Sequence, residues 1–491
     1  MKNKFYITTT LPYVNADPHI GFAAEIIKAD AIARYRARKG DEVFFNTGTD
    51  EHGLKIYRKA LEAGMDPQGY CDKYAARFEN LKKALNLSYN NFIRTTDEHH
   101  VKAAQEFWKR CDKNGDIEKK IYKVKYCVGC ELEKTDSELI DGKCPLHPNQ
   151  ELEIIEEENY FFKWSNYQRK LLELYDENPL FVLPGHRLNE IKNFVQSGLQ
   201  DFSISRLKSK MPWGVPVPGD EEHVMYVWFD ALVNYISALG WPCSASSCTE
   251  APEDKKATQG KPDLFTEFWP GTQVAGKDNL RQQSAMWQAM LMSAGLPTST
   301  QILIFGFITA DGKKMSKSLG NVINPHEVVE KYGTDALRYY LLAEITPFED
   351  GDFSFEKFEK KFNADLANGL GNLAGRTATL LEKNGIELDL AGVNDRELER
   401  RLDEEMEKFQ FDQALKIIWE KIAESDAFLS EKAPWKMKEK NEIMAVLKPV
   451  AENILNIGKL LLPFMPETAE KIVRQFSQRQ VKKEAPLFPR I

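Results

Sequence analysis

The sequence has no apolar run long enough to cross a membrane. Leu460-Leu461-Leu462-Pro463-Phe464-Met465 is among its longest, whereas a spanning helix needs about twenty apolar residues. It also lacks a leader-like start: strand signal begins by Phe5, leaving no room for a signal or transit peptide, so a cytoplasmic location is expected. Positive charge is not in excess. A net charge of −8 excludes a protein coated in basic patches, although a local positive groove on an acidic body can still bind RNA. Cysteine is scarce, seven in 491 residues. The odd count, with a cluster of cysteine and histidine, argues against a disulfide framework. Cys71, Cys111, Cys243 and Cys248 stand apart and read as core or surface thiols. There is no tandem repeat. The length exceeds what one core accommodates and suggests roughly three or four units.

What is present starts with two short motifs. Asp17-Pro18-His19-Ile20-Gly21 follows the strand-like run Phe5–Thr10 and opens an amphipathic helix, with Ile20, Ala24, Ile27, Ala31 and Tyr35 on one face. Asp17 is suited to cap that helix, Pro18 to its first position and Gly40 to its end. A helix N-terminus after a parallel strand offers free N–H groups and partial positive charge to phosphate. His19 can donate to phosphate oxygens, and Gly21 lets a flat base approach the backbone. Far downstream, Lys314-Met315-Ser316-Lys317-Ser318 follows a second strand-like run, Ile302–Phe305, and brings two more cations to the same sheet edge. Each motif is short, and a capping histidine or a solvated loop is the plain alternative. Their order and strand contexts together read as a nucleotide site built for charge developing on a triphosphate.

Residues 1–115 alternate strand and helix: Phe5–Thr10, a helix to Lys39, Glu42–Asn46, then helices containing Tyr57–Ala63 and Tyr70–Leu85. That alternation predicts an α/β fold with a doubly wound parallel sheet, Rossmann-like, with its ligand at the carboxyl ends of the strands. Thr10 to Tyr13 and Asp50 to His52 fall at such ends, which marks Asp50 as functional. Short polar strands and the acidic run Glu151–Glu158 mark an inserted domain over 116–223. The nucleotide fold resumes with Val224–Phe229, giving a split catalytic domain of 1–115 and 224–325. Within it Cys243–Pro262, rich in Ser, Thr, Pro, Glu and Lys, reads as a surface loop. After a linker, 326–354, residues 355–491 read as a C-terminal α-helical bundle. Phe355, Phe358, Phe362, Leu366, Leu370 and Leu373 form a core-facing stripe, and later helices cover Leu398–Phe409, Asp412–Glu424, Met444–Leu461 and Glu467–Phe476.

Cys127-Val128-Gly129-Cys130 and Cys144-Pro145-Leu146-His147 are paired knuckles with thirteen residues between Cys130 and Cys144. Three thiolates and an imidazole fill a tetrahedral zinc ion and leave no open position, so one structural Zn²⁺ is expected.

The two motifs, in this order and context, resemble those of class I aminoacyl-tRNA synthetases. Leu11-Pro12-Tyr13-Val14-Asn15, Thr49-Asp50-Glu51-His52-Gly53 and Val227-Trp228-Phe229-Asp230-Ala231 narrow the likeness to the methionyl-tRNA synthetases, over essentially the whole chain. The resemblance implies a methionine pocket of Leu11, Tyr13, Asp50, Trp228, Ala231 and Tyr235, with Asp50 holding the ammonium. It implies ATP bound with Mg²⁺ by His19, Gly21, Asp278 (in Gly276-Lys277-Asp278) and Lys317, with His19, Lys314 and Lys317 serving the reaction. In the bundle it implies that Asn372, Arg376 and Trp435 read a CAU anticodon of tRNA(Met). The knuckle resembles the family's single-zinc form, with His147 in place of a cysteine. Two positions depart from the family pattern: Phe22 where the first motif usually ends in a second histidine, and Gln283 where many members place a histidine beside the methionine side chain. The insertion is too small for a separate editing module. With no appended dimerising domain, a monomer is expected. The rival readings are a synthetase for another amino acid and a non-catalytic zinc-containing RNA-binding protein.

Overall fold

The structure, a computed structural model, describes residues 2–134, 138–242, 263–313, 315 and 320–491. Two compact units emerge. One comprises Met1–Asp17, Glu42–Asn80 and Tyr89–Ile304, the other Pro18–Asp41, Leu81–Ser88 and Phe305–Ile491.

The first unit is built on a six-stranded sheet in the spatial order Asn91–Arg94, Glu42–Thr49, Lys4–Thr8, Thr272–Gly276, Gln301–Phe305, Val182–Leu183. Lys4–Thr8 pairs in parallel with Glu42–Thr49 on one side and Thr272–Gly276 on the other. The order therefore reverses beside Lys4–Thr8, and in such sheets ligands bind at the carboxyl ends flanking that reversal. Tyr6, Ile7, Phe45 and Val274 are buried, consistent with strands covered on both faces. The edge strand Val182–Leu183 comes from the span read as inserted; two residues are too few for any periodicity to announce.

Antiparallel strands follow. Ile117–Cys127 runs against Glu153–Phe162, from Ile117 opposite Phe162 to Tyr126 opposite Glu153, with Leu132–Lys134 and Phe202–Ser203 at the edges. The run Val224–Phe229 is divided. Asp220–Met225 pairs antiparallel with Ser205–Leu207, and Val227–Ala231 is helical. Short apolar runs do not distinguish these states by pattern alone.

In the second unit the helix expected after the first motif spans Ile20–Arg38. Its N-cap is His19, not Asp17: the Gly21 N–H donates to His19 Nδ1 at 3.1 Å, while Asp17 pairs with Arg77. Gly40 follows at φ 97°, the left-handed conformation that ends a helix. The later helices are Arg396–Met406, Phe411–Lys432, Lys440–Leu461 and Pro466–Phe476, each packed on the next. The aromatic stripe belongs to Phe355–Lys361, a π-helical stretch Phe362–Gly371 and Asn372–Lys383. Phe358, Phe362, Leu366, Leu370 and Leu373 are buried, but Phe355 is 45% exposed; it opens the helix behind the capping Ser354, where the stripe has not yet turned inward. Among the described residues no helix is long and apolar enough to cross a membrane.

Lys28, on the Ile20–Arg38 helix, is fully buried. Its Nζ donates to Pro347 O at 3.3 Å and lies 4.7 Å from the centre of the Phe305 ring. Burial pulls its pKa down to about 8, against the opposing charges of Glu25 and Asp412. A lysine with a depressed folded pKa binds fewer protons folded than unfolded between that value and its ordinary 10.5. Stability therefore rises with pH across that window, by at most about 1.4 kcal/mol per unit. In denaturant titrations from pH 8 to 10.5, the difference in unfolding free energy between parent and Lys28→Met should shift in the parent's favour by this slope.

Candidate active site, metal centre and RNA-facing cavity

At the carboxyl end of Glu42–Thr49 the chain turns through Asp50, Glu51, His52 and Gly53. Tyr13 bridges to Asp50 in parallel: Asp50 N–H donates to Pro12 O at 3.0 Å and Val14 N–H to Asp50 O at 3.3 Å. This extends the sheet by one step and sets the Leu11–Tyr13 segment beside the acid. Leu11 is half-buried. Tyr13 meets the half-buried Trp228 edge-on, ring centres 6.4 Å apart. Asp50 is 3% exposed, and its Oδ1 makes no hydrogen bond to a described residue. Burial, then the charges of Asp230 and Glu131, hold its carboxyl well above the ordinary carboxylate range. A buried carboxylate oxygen without a hydrogen-bond donor is costly, and a ligand ammonium would remove that cost. Glu51, its neighbour, is a structural pin: Arg94 donates to both its oxygens, at 2.7 and 2.9 Å.

Behind Asp50 lies a constellation that the sequence reading missed. Asp230 is fully buried, with His52 Nδ1 3.0 Å from one oxygen and His100 Nε2 3.7 Å from the other. Burial opposes its ionisation, but the two histidines outweigh that and hold its carboxyl below the ordinary range. Only the presence of His52 and Asp230 inside quoted motifs hinted at it; His100 had no signal.

Ala231 and Tyr235 are buried beyond Trp228. Tyr235 is tied at both ends. Tyr6 Oη donates to its carbonyl at 2.7 Å, and Gln283 Nε2 donates to its hydroxyl at 2.6 Å. Gln283 Oε1 accepts from Gln273 Nε2 at 3.3 Å, and Gln273 Oε1 from Ser299 Oγ at 2.6 Å. The glutamine that departs from the family pattern is thus one link in a buried, uncharged chain.

Asp278 is exposed on the turn Lys277–Asn279 that follows Thr272–Gly276, at the carboxyl end flanking the reversal in strand order. His19, Gly21 and the half-buried Phe22 belong to the second unit. Because His19 Nδ1 accepts from Gly21, a neutral ring carries its proton on Nε2, free to donate. His19 is an exposed residue, yet the protein packed around its ring lowers its pKa. A Cβ added at Gly21 would lie 2.9 Å from His19 Cε1 and 3.5 Å from Met315 Cε. Hence Met315, within the downstream motif, closes on the start of this helix. Lys314 and Lys317 lie outside the described residues, as do Cys243 and Cys248 and the Cys243–Pro262 loop.

The knuckle residues Cys127, Cys130, Cys144 and His147 bring four ligand atoms within 4.8 Å of one another. Cys130 Sγ is 3.4 Å from Cys144 Sγ and 3.1 Å from His147 Nδ1, and Cys127 Sγ is 3.7 Å from that nitrogen. The edges of a tetrahedron drawn with ordinary Zn–S and Zn–N bonds are roughly 3.5–3.8 Å. The donor set fits one zinc ion with no position left open.

In the second unit Asn372, Arg376 and Trp435 line one cavity of about 690 Å³. Arg376 lies 5.2 Å from the Trp435 ring centre and pairs with Asp426 at 2.8 Å. Trp435 is 46% exposed, an unusual setting for indole unless something stacks on it. The opposite wall is the segment Lys483–Arg490, which the sequence reading did not single out; its two basic residues and Pro486 and Pro489 were the available signal.

The strand-order reversal with acid and aromatic groups at the sheet edge, and the His-Ile-Gly helix start, agree with the resemblance of the two motifs to class I aminoacyl-tRNA synthetases. The family model described as tRNA synthetases class I (M) matches residues 5–156 and 146–378. The methionine–tRNA ligase of Thermotoga maritima is 42% identical over 96% of this chain and 75% of its own length; that of Nostoc sp. is 41% identical over 96% and 89%. Among solved structures, Mycobacterium tuberculosis methionyl-tRNA synthetase in complex with methionyl-adenylate superimposes with a TM-score of 0.89 at 34% identity, covering all of both chains. The chain belongs to the methionine–tRNA ligase family of class I tRNA synthetases.

Metal analysis of the purified protein should find about one zinc per chain. Cys127→Ser should lower that stoichiometry and loosen the antiparallel strands around it, read as increased amide exchange over 117–162. A zinc-free protein with parental exchange there would contradict the assignment.

Proposed function

We propose that this protein activates L-methionine with ATP, supplied as its Mg²⁺ complex, and transfers it to the 3′-terminal ribose of tRNA(Met) bearing a CAU anticodon. The observation that carries the reading is Asp50: a buried carboxylate with an unpartnered oxygen at a sheet edge walled by Tyr13 and Trp228. Methionine's ammonium would pair with it, and its flexible thioether would lie among Tyr13, Trp228, Ala231 and Tyr235, with Leu11 and Gln283 completing the pocket. The methionine carboxylate attacks the α-phosphorus, and pyrophosphate departs. Adenylate formation of this kind needs alignment and charge stabilisation more than proton transfer. His19 Nε2–H would donate to the phosphates, Gly21 would admit the adenine, and Asp278 would accept from the ATP ribose. Lys314 and Lys317 would offset charge on the leaving pyrophosphate. A ribose hydroxyl of the tRNA then attacks the carbonyl of the adenylate and AMP leaves. In this reading 1–115 and 224–325 form the catalytic domain, 116–223 the zinc-bearing insertion, 326–354 a stem-contacting linker and 355–491 the anticodon-binding bundle. The protein works as a monomer in the cytoplasm, where tRNA is charged.

ATP–pyrophosphate exchange over a panel of amino acids tests the assignment. Methionine should support exchange at least about a hundredfold better than leucine, isoleucine or valine, the margin that a shaped apolar pocket can reach. Faster exchange with any other amino acid would replace methionine as the substrate.

The anticodon assignment separates the two half-reactions. Trp435→Ala should leave exchange within error of the parent. It should lower charging efficiency with CAU tRNA by a factor corresponding to about 1–3 kcal/mol, the worth of one base stacked on an aromatic ring. Parental charging by this variant would remove Trp435 from the RNA site.

A further inference from the structure

Helix Leu54–Glu62 begins directly after the Asp50–Gly53 turn, and its start is chemically bare. Its N-cap is Gly53, at φ 107° and ψ 165°, with no side chain to accept from the first N–H groups. The acceptor comes from elsewhere. Lys55 N–H donates to Glu131 Oε1 at 2.8 Å, and Glu131 directly follows the metal ligand Cys130. Glu131 is fully buried. Its backbone sits at φ 50°, a left-handed conformation rare for glutamate and tolerated where the surroundings impose it. A Cβ at Gly53 would stand 2.9 Å from Glu131 Oε2, so the glycine makes room for this carboxylate. Lys55 reinforces the join: its Nζ reaches Gly129 O of the knuckle at 3.4 Å and lies 5.3 Å from the Tyr13 ring centre.

We propose that Glu131 is a positioning residue of the amino-acid site: projected from the metal knuckle, it caps helix Leu54–Glu62 and thereby holds the turn that aims Asp50. The proposal rests on the methionine-activating reading and extends it. The knuckle, whose metal position is closed, acts on amino-acid recognition through this carboxylate. A capping contact needs an acceptor oxygen at the right reach and does not need charge. Glutamine keeps both the length and the acceptor; aspartate is too short to reach Lys55 N–H, and alanine has no acceptor.

The test compares the parent with E131Q, E131D and E131A. Methionine KM and kcat are measured in ATP–pyrophosphate exchange, methionine Kd by tryptophan fluorescence without ATP, and zinc by metal analysis. E131Q keeps the cap and removes one of the charges that hold the Asp50 carboxyl high, so it should bind methionine no more weakly than the parent. E131D and E131A should raise methionine KM and Kd about five- to tenfold with kcat changed less than about twofold, as expected for a lost cap. Zinc should remain at one per chain throughout. Parental KM and Kd in E131D overturn the proposal, as does an equal loss in E131Q and E131D, because then charge rather than capping is at stake. If E131A does not fold, the E131Q–E131D comparison decides alone. If the parent exchanges with a different amino acid, the substrate assignment fails separately, and the same rank order measured with that amino acid still judges Glu131.

Discussion

The second unit is organised around one ion pair buried without any solvent contact. Asp30, midway along helix Ile20–Arg38, and Arg338 meet at 2.7 Å with both side chains fully buried. Such a pair repays its desolvation only if every remaining polar atom is satisfied, and here they are. Asp30 also accepts from Arg34 Nε and from Ser88 N and Oγ. Arg338 also donates to the carbonyls of Phe464, Pro463 and Leu85. Burial works against Asp30's charge, but Arg338, Arg34 and Ser88 together hold its carboxyl below the ordinary range. Loss of either partner would leave the other charge buried, at a cost of roughly 3–5 kcal/mol. The constraint is functional as well as structural. The helix that presents His19 and Gly21 is fixed to the turn before helix Pro466–Phe476 in the same unit. Its N-terminus also bonds to the segment behind the lysine motif, Ile20 N–H to Ile323 O at 2.9 Å. The start of the first-motif helix is thus tied to Met315 and Ile323, described residues within and just past the downstream motif.

Two buried carboxylates in the first unit are pushed in opposite directions by their neighbours. His52 and His100 hold the Asp230 carboxyl below the ordinary range, whereas burial and acidic neighbours hold that of Asp50 well above it. Environments that separate the pKa values of nearby acids commonly mark the division of labour in a site. In the proposed function, the ammonium of methionine would supply what Asp50 lacks. Asp230, already satisfied on one side by His52, contributes its field and its hold on the helix Val227–Ala231 that carries Trp228. On the proposed reading the substrate would complete the pocket's charge, favouring amino acids over neutral analogues without any further cation from the protein.

How much of this was legible in the residues follows from how local each feature is. The parallel sheet, the long helices after residue 390 and the knuckle spacing are patterns written over consecutive residues, and they read correctly as an α/β fold, a helical bundle and a Cys₃His cluster. Features set by partners distant in sequence did not read. Asp17 has the right chemistry to cap a helix, but Arg77 claims it and His19 caps instead. Val182–Leu183 is a strand only because Gln301–Phe305 accepts it. The Asp230–His52–His100 group draws on three segments, and Glu131 looks like any acid beside a cysteine until its reach to Lys55 is known. The π-helical stretch Phe362–Gly371 preserves the apolar stripe, so periodicity passes over it.

The departure at Gln283 has a physical consequence of its own. A histidine at that position could gain a proton near neutral pH, placing a charge beside Tyr235 and among buried apolar groups. Glutamine cannot titrate, and both ends of its amide are used: the NH₂ donates to Tyr235 and the oxygen accepts from Gln273. The chain continues through Ser299 to Gln288, whose Oε1 accepts from Ser299 N–H at 2.9 Å and whose Nε2 donates to Gln283 O at 2.8 Å. The loop of donors and acceptors thus closes on itself around the turn of helix that bears Gln283. A closed network of neutral groups fixes Tyr235 without introducing a charge, so glutamine at this position gives a rigid contact where a histidine would give a titratable one. Fully satisfied buried polar networks gain specificity from the cost of disturbing any one member. If this is the methionine side of the pocket, as proposed, its selectivity would rest on shape and on Tyr235's fixed position rather than on the protonation state of the residue behind it.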